Sequence, residues 1–182
     1  MFTMKVIVIG GDGFCGWPTS LHLSKIGHKV FILDNLSRRR IDKEIGSNSL
    51  TKIATIDERI KCANENNIKL EFENIDVIKQ YDLFVKLVKR FKPNVIVHFG
   101  EQRAAPYSMI GDEERRYTVD NNIISTHNIC STIIEANKNI HLIHLGSMGV
   151  YGYTNEMGQT PEGYLNIKID KVKKKKKILY PS

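Results

Sequence analysis

A strand-like run that ends in closely spaced glycines constrains the fold of this chain more than any other feature. Residues 5–9, Lys-Val-Ile-Val-Ile, are rich in β-branched side chains and predict a buried strand. Gly10, Gly13 and Gly16 follow, and an amphipathic run begins at Trp17. Glycine permits close backbone approach, and the start of the next helix presents unpaired N–H groups, so this turn suits a diphosphate. The pattern therefore predicts a strand, a phosphate-binding turn and a helix.

A carboxylate after the next strand-like run supports a dinucleotide site. Residues 29–33 are again largely apolar, and Asp34 follows them. The distance from the glycines is near the roughly 20 residues expected for an acid that binds the adenosine ribose. Asp76, just beyond a third predicted strand at residues 68–72, is placed to accept a hydrogen bond from the adenine amino group. The alternative is a structural turn that binds no ligand, and the flanking strand and helix favour the dinucleotide site.

The stretch of residues 35–49 is polar and basic, and we predict a solvated loop there. It begins where the adenosine end of a cofactor would lie. Arg38 could stack on adenine or contact a phosphate. The three adjacent arginines could equally have no specific partner, and the sequence leaves both interpretations open.

Predicted strands alternate with predicted helices along the chain. The strands are residues 5–9, 29–33, 68–72, 94–99 and 141–145, and the helices are residues 17–26, 50–66, 80–91 and 113–137. This alternation predicts an α/β fold with a doubly wound parallel sheet, in which ligands lie beyond the carboxyl ends of the strands. We assign residues 1–163 to this domain, and residues 164–182 to short strands and a lysine-rich loop.

Composition narrows the classes of function. The chain has 182 residues with a net charge of +7, and six of its lysines lie within residues 171–177. Because this run has no interleaved aromatic residues, it predicts a solvated segment and no nucleic-acid partner. The sequence has neither an 18-residue apolar run nor a leader pattern, so we expect no membrane association. The three cysteines lack paired spacing, which is typical of free thiols in a reducing compartment, the cytoplasm or the plastid stroma.

Several motifs resemble those of the extended short-chain dehydrogenases/reductases that remodel nucleotide sugars. They are Gly-x-x-Gly-x-x-Gly at 10–16, Asp-Asn-Leu at 34–36, Asp76, Asp-Asn-Asn at 120–122 and Ser-x-x-x-Tyr-Gly at 147–152. The likeness runs from about residue 5 to residue 164. Within the family, Gly-Glu-Gln-Arg at 100–103 resembles the sulfosugar-forming members, since other members carry small apolar residues there.

This resemblance implies NAD as the cofactor, with UDP-glucose and sulfite as the substrates. The cofactor-binding residues it implies are Gly10, Asp12, Gly13, Phe14, Cys15, Gly16, Asp34, Asn35, Leu36, Arg38, Asp76, Gly100 and Asn121. Arg103 is expected to contact the substrate, and Ser147 to act in catalysis by hydrogen-bonding the C4 hydroxyl of the sugar. No metal site is expected, because the histidines do not cluster at ligand spacing. A homodimer and a separate sulfite-delivering protein are left open.

The chain departs from the family pattern at two positions and in one motif. Ser147 stands where threonine is usual and keeps the hydroxyl group, and Val150 stands where glutamate is usual. The family's Tyr-x-x-x-Lys base lies downstream of a Tyr-Pro that resembles Tyr180-Pro181. We therefore expect the chain to be the amino-terminal part of a longer protein, without the last strands and the sugar-nucleotide domain, and to be inactive by itself.

Tyr164 and Lys168 do have the spacing of such a base, which requires a helix to place both side chains on one face. The alternating pattern of residues 164–170 predicts a short strand instead, so we do not assign the base to this pair. Two alternatives to a sulfosugar synthase remain: another NAD-dependent nucleotide-sugar epimerase or dehydratase, and a non-catalytic nucleotide-binding remnant.

Overall fold

The computed structural model describes residues 2–147, 164–167 and 178–181. The chain divides into two compact units, Met1–Leu145 and Gly146–Ser182. In chain order the elements of the first unit are β1 (Lys5–Ile9), α1 (Gly16–Lys25), β2 (Lys29–Asp34), α2 (Ser37–Glu44), α3 (Ile56–Glu65), β3 (Leu70–Asn74), α4 (Tyr81–Phe91), β4 (Val95–His98), α5 (Ala105–Ser108), α6 (Asp112–Val119), a π-helix (Asp120–Ile124), α7 (Ser125–Ala136) and β5 (His141–His144).

The five strands form one parallel sheet in the order β3-β2-β1-β4-β5. β1 lies at the centre, where Ile7 pairs with Phe31 on one side and with Ile96 on the other. A strand that is buried on both faces cannot alternate apolar with polar residues, which explains the continuous apolar run of residues 6–9. The predicted doubly wound parallel sheet is confirmed.

Helices cover the two faces of the sheet. On one face, Ile7, Phe31 and Ile96 belong to a buried cluster that includes Phe84 of α4 and Ile129 of α7. On the other face, the cluster of Val6, Val8, Val30, Ile32 and Val97 includes Ala63 of α3, and Trp17 and Leu21 of α1 pack against it. Alternate residues of β1 therefore serve two separate cores, as expected for a two-sided sheet.

Residues 37–44 form the helix α2, so the prediction of a loop throughout residues 35–49 is wrong. Helical spacing pairs Arg38 with Asp42 and Arg40 with Glu44, and Ile41 is buried at 5% exposure. The sequence signal was one apolar residue in a charged segment. That signal is too weak to show helical periodicity without knowledge of the packing surface.

Other boundaries shifted for identifiable reasons. α3 begins at Ile56 rather than near residue 50, because Thr55 and Glu58 form a capping box at its start. The short helix α5 was not predicted. The long helix predicted over residues 113–137 is present, but it is interrupted by the π-helical segment Asp120–Ile124.

The described residues of the second unit include two antiparallel strands, β6 (Tyr164–Ile167) and β7 (Ile178–Pro181), in which Tyr164 pairs with Pro181. The prediction of a strand rather than a helix at Tyr164 is confirmed. Lys168 and Val150 lie outside the described residues, and the domain boundary at residue 163 stays a prediction.

Across the described parts of the chain, we find no helix with both the length and the apolar character needed to cross a membrane.

Candidate functional site

The turn after β1 is built so tightly that it requires glycine. The N–H groups of Gly10 and Gly11 donate to the carbonyl oxygen of Leu33 over 2.8 and 3.3 Å, and Gly10 has a φ of +78°. A Cβ on Gly10 would lie 2.7 Å from the backbone nitrogen of Gly100, in the loop that follows the neighbouring strand β4. A Cβ on Gly16 would lie 2.1 Å from the carbonyl oxygen of Gly10. The turn therefore brings bare backbone close to the start of α1, the positive end of that helix's dipole.

A single cavity brings together most of the residues singled out from the sequence. It runs along the carboxyl ends of the central strands, and its predicted members are Gly10, Asp12, Gly13, Phe14, Cys15, Gly16, Asp34, Asn35, Arg38, Asp76, Gly100, Arg103 and Asn121. Leu36 is not among the lining residues. Ser147 belongs to the second unit. The individual roles of all these residues stay predictions.

Asp34 ends β2 with both carboxylate oxygens hydrogen-bonded to backbone. Oδ2 accepts from the N–H of Asp12 at 2.9 Å, and Oδ1 accepts from the N–H of Leu36 at 2.8 Å. Burial raises the pKa of Asp34 and outweighs these two hydrogen bonds, which act in the opposite direction. Leu36 has a left-handed φ of 54°, which turns its N–H back toward the carboxylate. Leu36 thus orients Asp34 rather than lining the cavity.

Asp76 lies beyond β3, and its carboxylate accepts three hydrogen bonds. Its Oδ1 accepts from the N–H groups of Ile78 and Lys79, and its Oδ2 accepts from the side-chain amide of Asn35 at 3.0 Å. Burial opposes the charge, but the hydrogen bonds from Lys79, Asn35 and Ile78 together outweigh it and lower the pKa of Asp76. The pair of Asn35 and Asp76 therefore joins the ends of β2 and β3 at the side of the cavity predicted for adenine.

The loop after β4 is tied to the π-helix by two consecutive asparagines. The side-chain amide of Asn121 donates to the carbonyl oxygen of Gly100 at 3.0 Å. Asn122 accepts from the N–H of Gln102 at 2.8 Å and donates to its carbonyl oxygen at 2.9 Å. In a regular helix adjacent side chains point about 100° apart, and the wider π-turn helps both reach one loop. The sequence offered only the Asp-Asn-Asn motif and no sign of the π-turn.

Several cavity residues were not found from the sequence. Ile75, Val77 and Ile78 flank Asp76 and supply an apolar wall, and Tyr117 also lines the cavity. Their only sequence signal was proximity to a predicted site residue. Apolar residues beside a polar one are equally common in a core, so tertiary structure was needed to place them.

Buried His98 ends β4 beneath this loop. Its Nδ1 accepts from the N–H of Gly100 at 3.3 Å, and its Nε2 faces the hydroxyl oxygens of Ser125 and Thr126, each at 3.4 Å. An imidazole that accepts at Nδ1 carries its proton on Nε2, so His98 is neutral in this arrangement. Burial, with a smaller contribution from the charge of His144, lowers the pKa of His98 to about 4.

Donor atoms of His98, Glu101 and His144 lie within 4.8 Å of one another. His144 Nε2 is 3.2 Å from a carboxylate oxygen of Glu101, and burial raises the pKa of that carboxyl group. Such a trio could hold a divalent cation, and spacing in sequence did not reveal it. Both nitrogens of His98 already have hydrogen-bond partners, however, so we interpret the trio as a structural contact between the β4 loop and β5.

A parallel sheet with a glycine turn at its centre, and an acid at the end of the adjacent strand, defines a dinucleotide-binding α/β protein. The chain belongs to the NAD dependent epimerase/dehydratase family, whose model matches residues 6–168. The family predicted from the motifs is therefore confirmed. Its NAD-dependent character identifies NAD as the cofactor, and the close-packed turn, the helix start and the acid after β2 fit that group.

The chain is 44% identical to the chloroplastic UDP-sulfoquinovose synthase of Spinacia oleracea, over 90% of this chain and 33% of the relative. It is 43% identical to the UDP-sulfoquinovose synthase of Sulfolobus acidocaldarius, over 82% of this chain and 38% of the relative. The predicted likeness to sulfosugar-forming members is confirmed. The chain spans about a third of the length of these relatives.

A solved structure shares the fold. The UDP-glucose 4-epimerase of Stenotrophomonas maltophila, solved with NAD and formylated UDP-arabinopyranose, superposes with a TM-score of 0.64 at 21% identity. The match covers 86% of this chain and 40% of that structure. At this identity the comparison confirms the architecture alone.

His98 should make the stability of the chain depend on pH. Its pKa is about 4 when folded against an ordinary value of 6.5, so the unfolded chain binds more protons between these limits. Stability is therefore present above pH 6.5 and is lost as the pH falls toward 4, by at most about 3 kcal/mol. Chemical denaturation from pH 4 to pH 7 measures this loss.

The variant His98→Gln should have a flatter pH dependence over that interval, whatever its stability at pH 7. Replacement of the exposed His22 by glutamine is the matched control and should leave the slope unchanged. An unaltered slope in His98→Gln would show that this imidazole is not the titrating group.

Proposed function

We propose that the complete protein containing this chain converts UDP-glucose and sulfite to UDP-sulfoquinovose, with NAD bound throughout. The observation that carries the proposal is the loop of residues 100–103. Its Gly-Glu-Gln-Arg sequence supplied the likeness to the synthases, and it lines the same cavity as the glycine turn. Because the chain spans 33% of the spinach relative, we assign the activity to a complete protein rather than to these 182 residues.

The reaction has a chemical order that the site must respect. NAD held in this cavity would supply a hydride acceptor for C4 of the sugar and a hydride donor once sulfite has added, and the downstream Tyr-x-x-x-Lys base would take the C4 hydroxyl proton. The C4 ketone acidifies the C5 hydrogen, so the C6 hydroxyl leaves as water and an enone forms. Sulfite, a soft nucleophile, then adds at C6. The protein must therefore hold the sugar in one position from the first hydride transfer to the last.

The residues of this chain would divide that work between binding and alignment. Asp34 would bind the adenosine ribose, and the backbone of residues 12–15 the diphosphate. Asn121, fixed to Gly100, would contact the nicotinamide end. Arg103 is exposed and lines the cavity, where its guanidinium would meet an anionic substrate. Ser147 would align the C4 hydroxyl group, and the Tyr-x-x-x-Lys base would come from the downstream part of the protein.

The exposed cysteines are compatible with a reducing compartment. Cys15, Cys62 and Cys130 are all free thiols. We place the protein in the cytoplasm or the plastid stroma on this ground, and one of its relatives is chloroplastic. Expression with a fluorescent tag, followed by fractionation, tests this placement.

The central experiment compares the 182-residue chain with a chain extended to the length of the relatives, for example by fusion to the downstream part of the spinach synthase. We expect UDP-sulfoquinovose from UDP-glucose, NAD and free sulfite only with the extended chain. Ser147→Ala in that chain should lower turnover by about two orders of magnitude, while Ser147→Thr keeps the hydroxyl and most of the activity. Mass spectrometry of the sugar nucleotide measures the product.

The same assay separates the competing functions. UDP-galactose as the product, regardless of sulfite, would assign the protein to the epimerases. Absence of any product despite NAD binding would support a non-catalytic remnant. Turnover with free sulfite would also show that no sulfite-delivering protein is required. Unchanged turnover of Ser147→Ala would move the catalytic site elsewhere.

Asp34 should make the protein prefer NAD to NADP, because its carboxylate would repel a 2′-phosphate. Three adjacent arginines on α2 could have bound a 2′-phosphate and reversed this preference. Each of them has a carboxylate partner instead: Asp42 for Arg38, Asp12 for Arg39 and Glu44 for Arg40. Asp34→Ala should weaken NAD binding at least about tenfold, the value of a hydrogen bond to a charged group. Asp57→Ala, which removes an exposed acid from α3, should not. Titration calorimetry decides, and equal or tighter binding of NADP by the unmutated protein would contradict the assignment.

We further propose a homodimer formed along the helix of residues 112–136. Val119, Ile123 and Ile134 are 55%, 64% and 64% exposed, an apolar stripe that a second copy would cover. Ile123→Lys should shift sedimentation toward the monomer. Ile53→Lys changes an equally apolar residue that is 53% exposed outside the stripe, and it should not. A monomer of the unmutated chain at all concentrations would rule the interface out.

A further inference from the structure

The side chain of Asp12, in the glycine turn, is an ion-pair centre that the proposed reaction does not explain. Its carboxylate is 8% exposed and accepts hydrogen bonds from two arginines. Arg39 of α2 donates through both Nε and Nη2, the latter at 2.8 Å, and Arg59 of α3 donates through Nη1 at 2.7 Å. We call these three residues the Asp12 cluster.

Each arginine of the Asp12 cluster is also fixed by a second contact. Arg39 Nη2 donates to the carbonyl oxygen of Ala54 at 2.8 Å, and Arg59 Nη1 donates to the carbonyl oxygen of Asp12 at 3.1 Å. The guanidinium carbon of Arg59 lies 4.0 Å from the centre of the Trp17 ring, within cation–π distance. The donors that face Asp12 are therefore engaged and oriented, not free to follow a ligand.

The Asp12 cluster adjoins the acid predicted to bind the ribose. The N–H of Asp12 donates to Asp34 Oδ2 at 2.9 Å, and both residues line the cavity. The negative charges of Asp12 and Asp34 are thus matched in number by the positive charges of two guanidinium groups, those of the Asp12 cluster. Arg38, the remaining basic residue of the cavity near Asp34, is paired with Asp42. No surplus positive charge faces a phosphate there, in the part of the chain that the structure describes.

We propose that Asp12 is a specificity-determining residue that excludes a 2′-phosphate from the adenosine site. It does so by retaining Arg39 and Arg59 in ion pairs, so that neither guanidinium group is available to a 2′-phosphate beside Asp34. The assignment of the cavity to a dinucleotide underlies this inference, whereas the sulfosugar chemistry does not enter it. Exclusion of NADP is then shared between the glycine turn and the end of β2, instead of resting on Asp34 alone.

Two nucleotides that differ only by the 2′-phosphate provide the test. Adenosine 5′-monophosphate and adenosine 2′,5′-bisphosphate occupy only the adenosine half, so neither UDP-glucose nor sulfite is needed. NMR titration of the 182-residue chain at millimolar nucleotide gives the ratio of their affinities. Because this readout is independent of turnover, failure of the proposed reaction would leave it unaffected, and its failure would leave the reaction intact.

The variant Asp12→Asn keeps the shape and removes the charge. It should raise the affinity for the bisphosphate relative to the monophosphate about tenfold. The double variant Asp12→Asn with Arg39→Met should lose that gain. Glu44→Gln, which releases the exposed Arg40 on the same helix, is the matched control and should leave the ratio unchanged. An unchanged ratio in a folded Asp12→Asn variant would overturn the proposal.

Asp34→Asn tests the proposal even if Asp12→Asn does not fold. With the Asp12 cluster intact, this variant should still prefer the monophosphate to the bisphosphate. The logarithm of that affinity ratio should be at least half of its value in the unmutated chain. If Asp34→Asn alone abolishes it, Asp12 contributes nothing and the inference fails. The inference also fails if the unmutated chain binds the bisphosphate more tightly than the monophosphate, or if the folded chain binds neither nucleotide.

Discussion

The pairing of β1 with both β2 and β4 is the constraint on which the rest of the structure depends. Because all three strands run parallel, their carboxyl ends meet at one edge, and the glycine turn, Asp34 and Gly100 all lie there. The glycine turn lies in the middle of that edge, where Gly10 is in close contact with the backbone at Gly100. A side chain there would separate β1 from the β4 loop, so packing of the sheet requires this glycine, and the proposed diphosphate would use the same bare backbone.

Charge is balanced locally around this edge. Asp34 and Asp12 are both largely covered, and each is stabilised by donors that the fold supplies: backbone N–H groups for Asp34 and two guanidinium groups for Asp12. A covered carboxylate without such partners would be strongly destabilising. The arginines that neutralise Asp12 come from α2 and α3, so these ion pairs connect the glycine turn to the two helices between β2 and β3.

The opposite end of the cavity is ordered by side-chain amides and a neutral imidazole. Asn121 and Asn122 of the π-helix form hydrogen bonds with the loop of residues 100–103, and the imidazole of His98 accepts a hydrogen bond from the N–H of Gly100. These contacts are neutral, which leaves Arg103 as the positive group at the end where an anionic sugar nucleotide would bind. In the proposed assignment, ion pairs would surround the adenosine half of the cavity, and the exposed Arg103 would face the substrate half.

The sequence by itself determined the alternation of strands and helices, the glycine turn and the acid after β2, because each rests on local rules of periodicity, backbone freedom and spacing. It also carried the family, through the glycine, Asp-Asn-Leu and Ser-x-x-x-Tyr-Gly motifs. Tertiary structure alone decided that residues 37–44 are helical, that Arg39 and Arg59 meet at Asp12, and that a π-turn directs two asparagines to one loop. The last two features join residues 20 to 47 positions apart, and no local pattern encodes which distant partner a charged or amide side chain will find. The helix depends on the packing of a single buried side chain, Ile41.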